Sequence, residues 1–525
     1  MSAPADVSDP APTDVVGATV PSRRPGREAT PGEAPGGVLL ICQAYGTPGH
    51  TGSFRWRSLT RLLGERGWRF DVIAFEAGPD ATTGTGGDGA ERAGGAPAVR
   101  VHAVSPSWWL WRWRRRRRDA WLERERGLSE DAGKGAGAAS IEGADDADRG
   151  RAPAPSAGLS TGVRRLLERA GPLVAAAADA VDAAVWTRRA RRRARALLAR
   201  HGHDLVIATS PGPETHDVAA DLARATGIPF VAEFRDPRYF GRGEEVVRLD
   251  ALTRWLSRRA ELASLAEATA IVDIAAGASR ASAAELEAAA PAVAAVPRTV
   301  IPSGYEPAPV TAVDPERFRI VYTGWLWPFM PLTEFLRAAG RFVRDLDART
   351  DGAGRSVSVE LVGVERCFGG VPLVDLARSA GLEGRFSFAA RLEREVAARR
   401  QQRAAVLVSF DSVSPGGICI PSKLYHYALC HGAMLPIGKP DGAMAEEARK
   451  IGVRTVAPED EGGIVAFLHG AHGRWSRGEL TRPNDAAGTL DFVHRAGEME
   501  ALFERVGRDR DGLVGSLGAG RTAGR

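Results

Sequence analysis

Short apolar runs alternate with amphipathic segments from residue 38 onward. Residues 38–42 form the first run. It is followed by a glycine-rich turn, a predicted helix over 54–66 and a second apolar run over 70–75. A short apolar run bounded by turn residues is typical of a buried strand, and Gly67 stands where a helix C-cap glycine belongs. This β-loop-α-β order predicts the start of a parallel, doubly wound sheet.

The same alternation continues in two groups of comparable size. The first group adds predicted helices at 161–201, 215–226 and 244–267 and predicted strands at 204–209, 230–234 and 270–274. The second group has predicted strands at 318–322, 357–362, 386–388, 405–409 and 434–437, with helices at 332–345 and after Pro421. No segment repeats at a solenoid-like period. The pattern therefore predicts an α/β protein of two doubly wound, Rossmann-like domains.

The domain boundaries follow from changes in composition along the chain. Residues 1–36 are rich in Pro, Ala and Gly and are predicted to be a disordered tail. The N-terminal domain is predicted at 37–300, with a basic, aromatic and low-complexity insertion at about 105–160. The C-terminal domain is predicted at 301–480, and a helix and tail at 481–525.

Composition narrows the function class. The chain has 525 residues, and its 70 basic and 65 acidic residues leave a formal charge of only +5, so bulk nucleic-acid binding is not implied. The four cysteines lack the paired spacing of a zinc site, and we expect no metal. Scattered cysteines fit a reducing cytoplasm. No signal-peptide core or 18-residue apolar run is present, so a cytoplasmic protein is expected.

Candidate chemistry follows the predicted strands, where crevices form in open α/β sheets. The turn at 45–53 contains Gly52 and Ser53 and leads into a helix whose free N–H groups could meet a ligand; it could equally be a tight turn only. His216 falls in the first turn of the next predicted helix, where it could face the crevice and bond a sugar hydroxyl. The alternative is a histidine satisfied in the core.

Two further segments carry charge at such positions. Arg235 and Asp236 directly follow a predicted strand; they could pair with each other or contact a substrate. Ser422 and Lys423 begin a predicted helix, where the ammonium could meet an anion. The chain contains few lysines, which gives weak support to a phosphate contact at Lys423. A solvated helix start is the alternative.

The order of these segments resembles glycosyltransferases of the GT-B fold, in particular the group called family 4-like. Segments 38–67, 210–237, 301–324 and 421–427 carry the resemblance, which spans about residues 38–470. It implies two Rossmann-like domains facing across a cleft, with a nucleotide-sugar donor on the C-terminal domain and the acceptor on the N-terminal one. It also implies transfer with retention of configuration, without a metal or any cofactor beyond the donor itself.

The resemblance assigns roles to individual residues. We predict catalytic roles for His216 and Asp236. The donor side is predicted to comprise Gly324, Ser422, Lys423 and His426, and the acceptor side Gly52, Ser53 and Arg235. His426 stands where the family usually has the glutamate that holds the donor ribose, and Ile418 stands where many relatives carry a second glutamate.

A basic aromatic segment lies within the predicted insertion. Tryptophan rings suit the headgroup level of a membrane and arginines suit lipid phosphates, so we predict an anionic membrane contact on the inner face through Trp108, Trp109, Trp111, Trp113, Arg114, Arg115 and Arg116. A solvated loop whose rings pack on the domain is the alternative. Single-stranded nucleic acid is a third ligand that a segment of this composition could bind, although we expect no nucleic-acid partner.

Three functions stay open at this point. The first is a glycosyltransferase that acts on a polysaccharide, lipid-linked or natural-product acceptor. The second is a glycosyltransferase-like protein without catalysis that binds partners in glycan assembly, a reading motivated by His426 and Ile418. The third is another enzyme of the same fold, such as a sugar-nucleotide epimerase.

Overall fold

The computed structural model describes residues 36–47, 51–75, 98–105, 161–210, 212–236, 239–240, 251–349, 356–411 and 417–519. The predicted membrane-surface segment, from Trp108 to Arg116, lies outside this range. Within it, no helix is long and apolar enough to cross a membrane.

The first half of the chain forms one sheet with its flanking helices. Its elements are β1 (Gly37–Ile41), α1 (Thr51–Glu65), β2 (Arg69–Phe75), β3 (Val99–Val104), α2 (Thr161–His201), β4 (Leu205–Thr209), α3 (Pro213–Thr226), β5 (Phe230–Phe234), α4 (Ala251–Leu265), β6 (Ala270–Asp273), α5 (Ala276–Ala289), α6 (Pro291–Ala294) and β7 (Arg298–Val300). The strands β1, β4, β5 and β6 are buried along their whole length and are mostly apolar, as expected for a sheet covered on both faces.

The second half forms another sheet of the same kind. Its elements are β8 (Phe318–Thr323), α7 (Leu332–Arg349), β9 (Val357–Val362), β10 (Cys367–Phe368), β11 (Val371–Pro372), α8 (Leu373–Ser379), β12 (Phe386–Ala389), α9 (Arg394–Gln402), β13 (Val406–Phe410), α10 (Lys423–Leu429), β14 (Ala433–Ile437), α11 (Ala443–Arg449), α12 (Glu461–Ser476) and α13 (Phe492–Ala519). The β10–β11 pair is a small separate hairpin.

Both large sheets are parallel and doubly wound. The first has the order β3-β2-β1-β4-β5-β6-β7 and the second the order β12-β9-β8-β13-β14. In each, the chain reverses its direction of winding beside the first strand, between β1 and β4 and between β8 and β13. Ligands of open α/β sheets bind outside the carboxyl ends of the strands at this switch point.

The last helix connects the two halves. Helix α13 follows the second sheet in sequence, yet its apolar residues belong to the core of the first domain, where they pack beside Trp56, Leu59 and Trp68. Arg495 near its start is buried and donates to Glu447 of α11 over 2.7 Å and to the carbonyl of Ser303 over 3.2 Å. The helix therefore ties the two domains and their linker together.

Candidate active site

A cavity of about 300 Å³ lies between the two domains, at the carboxyl ends of their strands. The N-terminal domain contributes Arg235 and Asp236, which follow β5. The C-terminal domain contributes Gly324, which follows β8, and Ser422 and Lys423 at the start of α10. Five residues predicted from separate segments of the sequence therefore line one cavity.

Lys423 is the cation of the C-terminal wall. Its Nζ lies 2.6 Å from Oη of Tyr322 and 3.8 Å from the centre of the same ring. Among the described residues no carboxylate forms an ion pair with it. Burial lowers the pKa of the Lys423 ammonium from 10.5 to about 7, because a desolvated charge without a counter-ion is unfavourable. The cavity thus presents a cation that an anionic ligand would stabilise.

Gly324 keeps the space beside this lysine open. Its φ is +116°, a conformation that residues with a Cβ rarely adopt. A Cβ built there would lie 3.3 Å from both Cε and Nζ of Lys423. A glycine therefore lets the chain turn out of β8 and still leaves the ammonium accessible from the cavity.

Tyr322 connects the lysine to the loop that follows β8. Its hydroxyl accepts the hydrogen bond from Lys423 and donates one to the carbonyl of Trp325 over 2.6 Å. Its ring stacks on Phe410 of β13 at a centroid distance of 5.0 Å. Burial raises the pKa of the Tyr322 hydroxyl, which therefore remains a neutral hydrogen-bonding group.

Ser210 holds the N-terminal wall in place. Its hydroxyl accepts hydrogen bonds from the backbone N–H of Arg235, at 2.9 Å, and of Asp236, at 3.2 Å, and donates to the Asp236 carbonyl at 3.1 Å. Gly52 at the start of α1 lies against the Arg235 side chain, since a Cβ at Gly52 would fall 1.7 Å from Nη1. The glycine thus makes room for the guanidinium that lines the cavity.

A buried ion pair supports this wall. Glu233 of β5 is completely buried and accepts hydrogen bonds from Arg55 at 2.8 and 3.0 Å and from the Trp56 indole at 2.6 Å. Arg55 also donates to the carbonyls of Ile301 and Pro302, at 2.9 and 2.5 Å. A fully satisfied pair of this kind fixes α1 against β5 and against the start of the linker between the domains.

Comparisons with known proteins support this architecture. No protein-family model matches the sequence, and no curated protein matches it significantly. Among solved structures, the trehalose-6-phosphate phosphatase N-terminal domain of Candida albicans is similar over 92% of this chain and 99% of its own, with 10% identity and a TM-score of 0.55. The two doubly wound sheets of this chain face each other across a cleft. The chain has the GT-B fold.

Another solved structure matches less closely in shape. A sucrose-phosphate synthase from Thermosynechococcus elongatus covers 90% of this chain and 99% of its own, with 12% identity and a TM-score of 0.49. The GT-B fold supports many activities. The function therefore depends on the residues in the cleft.

Of the two predicted positions of His216 in this GT-B chain, the structure shows the one in the core and not the one that faces the crevice. Its side chain is 1% exposed and packs on Phe234 at a centroid distance of 4.7 Å. Its Nε2 lies 3.2 Å from the carbonyl oxygen of Ala208 and 3.0 Å from that of Glu233. The first turn of α3 points this ring into the sheet, where it bridges two strands beneath the cavity.

Gly52, Ser53 and His426 are further predicted residues that do not line this cavity, although Gly52 contacts Arg235. Ser53 is buried in the packing of α1. His426 lies one turn after Lys423 on α10, where its ring meets Phe54 of α1 at 5.8 Å and the Arg394 guanidinium stacks on the same phenylalanine at 4.2 Å. Burial, together with the positive charge of Arg394, lowers the pKa of His426 to about 4. This histidine is a neutral group at the domain contact.

Asp273 is a cavity residue that sequence reasoning missed. It is the last residue of β6, lines the cavity and is 3% exposed. Its carboxylate accepts a hydrogen bond from Arg298 over 2.6 Å, and burial raises its pKa. The sequence does contain a signal for Asp273, because an aspartate that ends an apolar strand stands at the same sheet edge as Arg235 and Asp236.

The cavity offers groups for an anion and for hydroxyls rather than for a metal. Among the described residues, no cluster of three or more His, Cys, Asp or Glu side chains could hold a metal ion. Lys423 and Arg235 supply positive charge, while Asp236 and Asp273 supply acceptors on the N-terminal side. An anionic, hydroxyl-rich molecule matches this set best.

Proposed function

We propose that this chain is a glycosyltransferase that moves a sugar from a nucleoside-diphosphate sugar to a polysaccharide, lipid-linked or natural-product acceptor. The single observation that carries the proposal is Lys423, a partly buried ammonium without a carboxylate partner among the described residues, at the switch point of the second sheet. A diphosphate is an anion of the right charge for this position.

On this proposal, Lys423 stabilises the leaving group. As the bond between the sugar and the diphosphate breaks, negative charge grows on the phosphate, and a fixed cation in a partly desolvated cavity stabilises that charge most. Gly324 leaves the space for the phosphate, and Ser422 offers a hydroxyl beside it. Donor binding by this wall also fixes the sugar toward the opposite domain.

The opposite wall would orient the reacting hydroxyl of the acceptor. Asp236 is exposed in the cavity, and its backbone is fixed by Ser210. Its carboxylate can accept a hydrogen bond from an acceptor hydroxyl and orient it toward the transferred sugar. Arg235, held beside Gly52, adds positive charge on the same side. Transfer with retention, independence from metal and membership of the family 4-like group are further parts of this proposal.

A second candidate function rests on His426. A neutral, packed histidine stands where the resemblance implies a glutamate that holds the donor ribose. A protein that keeps the fold but binds the donor poorly could serve as a scaffold in glycan assembly. The two candidates differ in turnover, because a scaffold releases no nucleoside diphosphate.

The test is diphosphate release from a panel of nucleotide sugars incubated with the purified full chain. Water can take the place of the acceptor hydroxyl, so hydrolysis of the donor also releases the diphosphate and the assay requires no known acceptor. Asp236→Asn and Lys423→Ala serve as matched variants within the cavity, and the exposed Lys439→Ala serves as a control outside it. Release that requires Lys423 supports the transferase, and wild-type protein that releases no diphosphate from any donor supports the scaffold.

Association with an anionic membrane surface is a separate part of the proposal. The tryptophan- and arginine-rich segment from 107 to 121 supports it. In the described residues, α4 also exposes Trp255 and Leu256 beside Arg258 and Arg259. Co-sedimentation with anionic liposomes at low salt tests this part, and protein that stays in the supernatant would contradict it.

A further inference from the structure

Three aromatic rings stand exposed on the loop that follows Gly324. Trp325, Trp327 and Phe329 are 50%, 42% and 48% exposed. They alternate with Leu326, which packs against the core of the C-terminal domain, and with Met330, which is 4% exposed. Alternate residues of this loop therefore anchor it and present rings to solvent.

The loop is held firmly although its rings are exposed. The Tyr322 hydroxyl donates to the Trp325 carbonyl over 2.6 Å, and the backbone N–H of Met330 donates to the Trp327 carbonyl over 3.0 Å. The rings of Trp327 and Phe329 lie nearly parallel, with 9° between their planes. Exposing clustered apolar rings to water is unfavourable, and such clusters on protein surfaces mark binding sites.

The rings belong to the cavity and not to a distant surface. Trp325 and Trp327 both line it, on the same wall as Lys423. The facing wall is polar and includes Arg235 and Asp236. A ligand that fits between these walls has one apolar face and a rim of hydroxyls. A pyranose ring has this character, because its axial C–H groups form a flat apolar face.

The position of Trp325 selects a sugar over a nucleobase. The Tyr322 hydroxyl bonds both the Lys423 ammonium and the Trp325 carbonyl, so the tryptophan backbone lies two hydrogen bonds from the ammonium that would hold the phosphate. In a nucleotide sugar, the transferred sugar is joined directly to phosphate, whereas ribose separates phosphate from the base. The acceptor ring must also approach the transferred sugar here.

We propose that Trp325 and Trp327 form a stacking subsite for a pyranose ring of a glycan acceptor. The assignment to the acceptor follows from the position of the rings at the solvent-facing edge of the cavity, where a longer glycan can extend outward. It rests on the proposed function, since the acceptor has meaning only for a transferase.

The test uses saturation-transfer NMR with neutral methyl pyranosides of glucose, galactose, mannose, N-acetylglucosamine and rhamnose, and with their disaccharides. The proteins are the wild type, the double variant Trp325→Ala/Trp327→Ala, and Trp255→Ala as the matched control. Trp255 is 55% exposed on α4 and does not line the cavity. A Trp327→Phe variant keeps a ring and checks that stacking is what matters.

We expect at least one pyranoside to bind the wild type, Trp255→Ala and Trp327→Phe, with saturation strongest at its ring C–H protons. The double variant should weaken this binding about tenfold while leaving affinity for nucleoside diphosphates within about twofold of the wild type. Failure of every nucleoside diphosphate to bind the wild type would count against the proposed function alone, because the pyranoside result is read separately.

Three results would overturn the subsite. The first is wild-type protein that binds no pyranoside of the panel. The second is equal pyranoside affinity in the wild type and the double variant. The third is a double variant that loses binding of free uridine, guanosine or adenosine but not of the pyranoside, which would identify the rings as a nucleobase platform.

Discussion

The Lys423 ammonium lies 2.6 Å from the hydroxyl oxygen of Tyr322 and 3.8 Å from the centre of its ring. A neutral hydroxyl and a ring face are weaker partners for a partly buried cation than a carboxylate would be. The protein therefore holds the lysine in position without neutralising it. This is the arrangement expected of a cation whose counter-ion arrives with the substrate.

Donor affinity should fall as the pH rises above 7. Burial lowers the pKa of Lys423 to about 7, so the ammonium is present below that pH and is lost above it. A bound diphosphate favours the charged form and raises this pKa again. We therefore expect the dissociation constant for a nucleotide sugar to rise about tenfold per pH unit above 7, as measured by calorimetry.

Lys423→Arg is the control for this pH dependence. A guanidinium stays charged throughout the range, so the variant should bind with little change between pH 7 and pH 9. Nucleotide sugars are suitable probes because their diphosphate charge is constant here. A wild-type affinity that does not change with pH would contradict the assignment.

Tyr322→Phe should weaken donor binding with little loss of stability. The variant keeps the ring that stacks on Phe410 but removes the hydroxyl that bonds both Lys423 and Trp325. We expect about a fivefold loss of affinity. Tyr305→Phe is the matched control, since it removes a buried hydroxyl bonded to Asp485 outside the cavity. Equal affinities of Tyr322→Phe and wild type would exclude the positioning role.

His216→Ala should reduce the stability of the protein more than its activity. The buried ring bonds the backbone of two strands and packs on Phe234. Its removal should lower the free energy of unfolding by about 2 kcal/mol, measured by urea denaturation. His494→Ala, at a half-exposed position on α13, should change it little. A large loss of turnover with unchanged stability would restore the catalytic role first predicted for His216.

Glu233→Gln should destabilise the N-terminal domain strongly. The change leaves the Arg55 guanidinium buried without its carboxylate, and such a charge costs about 3 kcal/mol or more. Glu65→Gln breaks an exposed ion pair with Arg61 and should cost about 0.5 kcal/mol or less. Similar unfolding free energies for these two variants would show that the buried pair does not support the wall.

Much of the fold could be predicted because its central strands are short, continuous apolar runs. The predictions at 38–42, 204–209 and 230–234 fall on β1, β4 and β5. The edge strands β3 and β7 were not predicted from the sequence. Strand β3 is half-exposed and mixes polar residues with apolar ones, and β7 has only three residues. A short or half-exposed strand lacks the continuous apolar run that creates the pattern.

The site was predictable only where sequence position fixes geometry. Gly324, Arg235 and Asp236 each follow a strand, so each lies at the carboxyl edge of its own sheet, and these two edges face the same cavity. The direction of His216 depends on how α3 packs against the sheet, which spacing does not encode. The link from Tyr322 to Lys423 joins residues 101 positions apart, and only tertiary packing reveals it.

The central claim is that Lys423 binds the diphosphate of a nucleotide-sugar donor. The most direct measurement is a thermal-shift panel of UDP, GDP, ADP, dTDP and their sugars on wild-type protein and on Lys423→Ala, since a ligand of the native state raises the midpoint. We predict a shift with one nucleotide class in the wild type and its loss in Lys423→Ala. No shift with any nucleotide, or equal shifts in both proteins, would contradict the claim.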